Sequence, residues 1–135
     1  MLKKVCLFSV LIFLGFSCKK DVLVPTEGIY RGTFNEIRSS GDTVASGVVF
    51  MALWESTLKY QITGDSITSA PASHHGSYLV DDATRMQFER GSPYSTNYDV
   101  DHYLDTTYNY EFINNSFEFW FQDDTTLYEY KLSRD

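Results

Sequence analysis

Cys18 is the residue best placed to do chemistry. It stands in Gly15-Phe16-Ser17-Cys18-Lys19-Lys20-Asp21, where an apolar stretch gives way to charge. A thiol can close a disulfide, ligate a metal, attack a carbonyl or accept an acyl chain. Within the chain it has no partner for a disulfide. The other cysteine, Cys6, lies inside the apolar stretch, and none follows Cys18. Other reactive residues cluster less tellingly. His74 and His75 are adjacent, so on a strand they face opposite ways and do not converge on one ion. Asn97-x-Asp99-x-Asp101 opens like a calcium loop. His102 then stands where that loop needs glycine, and Tyr108 where it needs a bidentate glutamate. We read it as a solvated acidic loop whose calcium binding would be weak. No serine sits in a Gly-x-Ser-x-Gly elbow. The expectation is therefore a chain with no cofactor, no metal and no enzymatic activity. A hydrolase whose geometry spacing does not reveal is the third reading.

The segment before Cys18 explains the thiol better. Lys3 and Lys4 precede an apolar run from Val5 to Phe16, and small or polar residues follow, which is the layout of an export signal. The run falls short of the ~20 residues a membrane-spanning helix needs. Its end, Leu14-Gly15-Phe16-Ser17-Cys18 followed by Lys19-Lys20-Asp21, resembles the signal of bacterial lipoproteins of the Bacteroidota type. Gly15 stands where leucine is usual, with Leu14 one place early. The resemblance implies removal of residues 1–17 and acylation of Cys18 as the first mature residue. It also implies a lipid-anchored life in the cell envelope, most simply at the outer membrane, on a face the sequence does not choose. Each buried methylene contributes ~0.8 kcal/mol, so several acyl chains hold a protein stably.

Charge narrows the partners. The chain carries 11 basic and 18 acidic residues, a formal charge of -7, and loses Lys3 and Lys4 with the signal. So acidic a surface repels phosphate backbones and argues against nucleic acid and against a basic patch on anionic lipid. The membrane would hold the protein through Cys18, not through charge.

Three regions follow: a signal over 1–17, the lipidated cysteine and a tether over 18–26, and one domain over 27–135. The eight residues after Cys18 reach at most ~28 Å. The domain reads as strands throughout. Tyr30, Gly32 and Phe34 share one face of the first. In a second, from Val44 to Trp54, Val48, Phe50 and Ala52 share a face. Leu58, Tyr60 and Ile62 point inward from a third. Ser77–Val80 and Arg85–Glu89 form a hairpin across Asp81-Asp82. A two-residue turn at Asn114-Asn115 pairs Phe112 with Phe117, Tyr110 with Phe119 and Tyr108 with Phe121, which puts every one of these rings on one face. For the last hairpin, a two-residue loop would oppose Glu118 to Glu129. A four-residue loop, Asp123 to Thr126, instead pairs Glu118 with Lys131, and it is preferred.

About eight short strands in meander order, with no amphipathic helix, predict an all-β antiparallel barrel or sandwich. Gly28-x-Tyr30-x-Gly32-x-Phe34, Gly76-x-Tyr78 and the closing Leu127-Tyr128-Glu129-Tyr130-Lys131-Leu132 resemble strands of small lipocalin-like lipoproteins. That resemblance implies an up-and-down eight-stranded barrel able to hold a small hydrophobic or aromatic ligand. Tyr30, Phe34, Tyr60, Tyr110 and Phe119 are then the candidate lining. Tyr94, Tyr98 and Tyr103, in the long connection from Gly91 to Asp105, would stand at the mouth as a recognition surface. The alternative is a barrel filled by its own aromatic residues, since eight strands can enclose either a core or a ligand. Such a protein would act as an accessory or inhibitory module, docking on another envelope protein.

Overall fold

A computed structural model describes residues 23–64, 71–91 and 104–135. Cys18, Tyr94, Asn97, Tyr98, Asp99, Asp101 and Tyr103 lie outside the described residues. Eight antiparallel strands follow one another in order: β1 (Gly28–Arg38), β2 (Thr43–Trp54), β3 (Lys59–Thr63), β4 (His74–Val80), β5 (Arg85–Arg90), β6 (Thr107–Ile113), β7 (Ser116–Gln122) and β8 (Thr126–Arg134). Each pairs with the next, and β8 returns to β1, closing a barrel with no free edge strand. The expected up-and-down eight-stranded barrel is the fold observed.

The aromatic hairpin forms as its pattern predicts. Asn114 and Asn115 both take positive φ, 48° and 69°, the conformation a two-residue hairpin turn requires and asparagine tolerates. Phe112 faces Phe117 and Tyr110 faces Phe119 across the ladder. In the last hairpin Glu118 meets Lys131 and Phe119 meets Tyr130, so the longer loop is the one adopted. Tyr108 and Phe121 lie beyond the paired stretch of β6 and β7, though their rings approach to 5.9 Å.

One expectation changes. Leu58 does not point inward. It ends the Glu55–Leu58 turn with φ of 52°, its carbonyl accepts from the Tyr78 N–H at 2.9 Å, and its side chain is exposed. The strand itself starts at Lys59, and Tyr60 and Ile62 do face the core. On β2, Val48, Phe50 and Ala52 do share a face as expected, and it is the outer one. The core is fed instead by Val49, Met51 and Leu53, opposite Gly32, Tyr30 and Gly28 of β1. Both faces of β2 are apolar, so alternation alone could not assign its inside.

The strand ends sort into two rims. Residues 23–27, the β2–β3, β4–β5 and β6–β7 turns and Arg134 gather at one, the tether rim. The turns 39–42 and 123–125 lie at the other, with the described ends of the β3–β4 and β5–β6 connections, 64, 71–73, 91 and 104–106. Residues 23–26, placed in the tether by sequence, lie across the first rim. Pro25 is buried. The Thr26 carbonyl accepts from Tyr30 Oη at 2.6 Å, and Thr26 Oγ1 accepts from Arg134 at 2.8 Å. Glu27 Oε2 accepts the Glu55 N–H at 3.1 Å.

Candidate functional site

The interior is built from alternate residues of every strand, and these are mostly rings. Tyr30, Phe34, Tyr60 and Phe119, expected to line a ligand space, lie against other core rings. Phe119 stacks on Tyr130 with centroids 4.4 Å apart and planes 8° from parallel. Phe34 meets Tyr130 at 4.9 Å, Tyr30 meets Phe117 at 5.7 Å and Tyr60 meets Phe88 at 5.3 Å. Offset and edge-on pairs of this kind are favourable beyond simple burial. The bore of an eight-stranded barrel is narrow enough for such side chains to fill. Burial raises the phenol pKa of Tyr108 and Tyr130 far above its ordinary value, so both stay neutral. Tyr78 Oη is buried with no hydrogen-bond partner among the described residues.

Tyr110 differs from the other four. β5 pairs with β6 only from Thr107 to Asn109, while β6 continues to Ile113. The last bond across this seam runs from the Tyr110 N–H to Thr84 O at 2.8 Å. Past it the wall parts into an open cleft of about 440 Å³, walled by Leu23, Ala83, Phe112, Ile113 and Trp120, with Thr84, Asn109 and Glu111 as polar members. Small-molecule sites begin at about this size. Tyr110 Oη sits in this wall within reach of two carbonyls, Asp82 at 3.2 Å and Leu23 at 3.3 Å. Desolvation, and then the charge of Asp82, raise its pKa. Tyr110 is also a core residue, its ring 6.5 Å from Phe117, so it faces inward as read while its hydroxyl reaches the cleft wall. The cleft arises from a difference in strand length that no residue pattern announces.

At the other rim, His74 and His75 face opposite ways, as adjacency on a strand predicts, and His75 is exposed. Among the described residues no group of His, Cys, Asp or Glu could hold a metal. His74 instead braces a connection. Its Nδ1–H donates to Ala72 O at 2.6 Å, which leaves Nε2 to accept the Leu104 N–H at 2.9 Å. The Leu104 carbonyl accepts from Tyr60 Oη at 3.0 Å. Both backbone groups of Leu104 are thus held by side chains. An Arg90–Asp105 ion pair at 3.2 Å closes the same stem.

Desolvation lowers the His74 pKa from 6.5 to about 4, against a smaller upward pull from its bond to Ala72. The unfolded chain therefore takes up this proton first as pH falls. The contribution is complete above pH 6.5 and is lost progressively from there to about pH 4. Between pH 7.5 and 5 the barrel should lose about 2 kcal/mol through this group. Urea unfolding at the two pH values checks it, and His74→Asn should flatten the slope.

Comparison with protein-family models, curated proteins and solved structures finds no match for this chain.

Proposed function

We propose that this chain is a non-enzymatic envelope lipoprotein, anchored through an acylated Cys18, whose filled barrel works from its outside as an interaction module. The observation that carries this reading is the ring-on-ring packing of the interior, which occupies the space a lipocalin-like protein would give to a ligand. The outer wall offers an alternative surface. Val48 and Phe50 stand exposed on β2, with the Arg31 guanidinium 5.3 Å over the Phe50 ring. Apolar side chains beside arginine on a solvent face suit a protein partner.

The lateral cleft supports a second reading, in which a small hydrophobic or aromatic molecule binds beside Tyr110. One set of measurements separates the two. In cells fed an alkyne fatty acid, the wild type should take up label and sediment with membranes, and Cys18→Ala should do neither. Phe50→Glu should lower recovery of a crosslinked envelope protein at least tenfold, on the order of a single central contact, and leave the melting temperature nearly unchanged. A panel of lipids and aromatic metabolites should not raise that temperature. A ligand that does raise it, through Tyr110, puts the second reading first.

A further inference from the structure

We propose that the tether rim of the barrel is a membrane-docking surface that seats its apolar side chains in the lipid interface. The proposal rests on acylation of Cys18 and goes beyond it, because a lipid anchor alone leaves the orientation of the barrel free.

The distribution of exposed apolar residues carries the inference. Among the described residues, nine large hydrophobic side chains are 40 to 59 % exposed. Six of them, Leu23, Ile29, Trp54, Leu58, Leu79 and Ile113, lie at or within one residue of the tether rim. The other three, Val44, Val48 and Phe50, all belong to β2. Scattered surface apolar residues are ordinary, but a ring confined to one end of a barrel is a patch.

Leu58 sharpens the case. A leucine in the left-handed region is strained, and asparagine or glycine would hold the turn with less strain. Its side chain is still left 42 % exposed. Beside it Trp54 ends β2, and tryptophan is the residue most at home where water meets lipid.

The chain itself selects the occupant. Leu23 lies against the barrel at this rim, and five Cα steps separate it from Cys18, at most about 18 Å. Acyl chains on Cys18 therefore bring bilayer, and no other partner, to this end by covalent connection. The local charge bears on the kind of contact. Glu27, Glu55, Asp81 and Asp82 outnumber Lys59, Arg85 and Arg134 at this rim, and Arg85 is already paired with Asp82 at 2.9 Å. No basic patch draws this rim to anionic lipid, so the contact is apolar and zwitterionic lipid suffices for it.

Trp54 and Trp120 are the only tryptophans, which makes the test direct. Trp54 is at the rim, and Trp120 is on the outer wall of β7 opposite Asn109, four residues back from the β6–β7 turn in the cleft that Leu23 and Ile113 also wall. The acylated protein is reconstituted into phosphatidylcholine vesicles with and without brominated acyl chains. With Trp120→Phe, emission from Trp54 should fall roughly twofold on bromination, and with Trp54→Phe, emission from Trp120, set back from the rim turn, should fall less. Leu58→Asn should melt no lower than the wild type and yet weaken the quenching of Trp54. A chain that takes up no fatty acid overturns both the anchor and the docking. An acylated chain that floats with the vesicles while Trp54 is quenched no more than Trp120 overturns the docking alone. Shielding of Trp54 that rises with protein concentration in lipid-free detergent points to a second copy and overturns it as well.

Discussion

Phe119→Ala should destabilise the barrel by about 3–5 kcal/mol, the cost of removing a large ring from a close-packed core. Phe119 is fully buried and touches four rings: Tyr130 at 4.4 Å, Phe117 at 4.9 Å, Phe88 at 5.2 Å and Tyr108 at 5.5 Å. These neighbours come from β5, β6, β7 and β8, so the ring joins half the barrel wall across its axis. None of them can collapse into the vacated space without abandoning its own partners. Domains of this size are stable by roughly 5–15 kcal/mol, so one substitution would remove a large share. Urea unfolding measures it, with Phe50→Ala on the outer wall as the control that should cost far less. A small loss at Phe119 would mean that the interior yields, and it would reopen the barrel to a ligand.

Alanine at Gly32 should be as damaging for the opposite reason. A Cβ there would overlap the Lys131 carbonyl oxygen and come within 2.8 Å of Leu132 Cα. Both belong to β8, the strand that pairs with β1 to close the barrel. The obstruction is backbone on backbone, so no rotamer change relieves it, and the expected cost is about 3 kcal/mol or more. Gly76 on β4 is its counterpart, where a Cβ would overlap the Glu89 carbonyl oxygen of β5. Both glycines mark places where the wall folds too sharply for a side chain. Amide exchange along β1 and β8 would report the damage at Gly32→Ala. An unchanged unfolding midpoint would show that the seam slides to make room.

How much of this was legible depends on what each residue has to choose between. Asn114-Asn115 left little choice, because one turn length puts all the neighbouring rings inside and a slip puts them outside. The pairing of Glu118 with Lys131 followed from charge alone. β2 was different, because Val48 and Phe50 are as apolar as Val49 and Met51, and only the register against β1 says which pair is inside. Leu58 was misread because nothing local distinguishes a leucine at the start of a strand from one that ends a turn.

The candidate site was less legible than the fold. Tyr30, Phe34, Tyr60 and Phe119 were correctly read as facing inward, but alternation cannot tell whether inward-facing rings surround a ligand or one another. That depends on bore and side-chain volume together. The brace at Leu104 was hidden for another reason. Tyr60, His74 and Leu104 come from three separate stretches, and the bonds end on backbone atoms, which carry no sequence signal.

The closing seam also bears on when the chain can fold. β1 must pair with β8, so Tyr30 meets Arg134 only after about a hundred intervening residues exist and have been gathered in, a costly loop to close. During synthesis, β1 to β7 can zip together as a curled sheet, but Phe34 and Phe119 wait for Tyr130. The last strand made is therefore the keystone. Until β8 is available the chain remains open and threadable, as the export proposed for it would require.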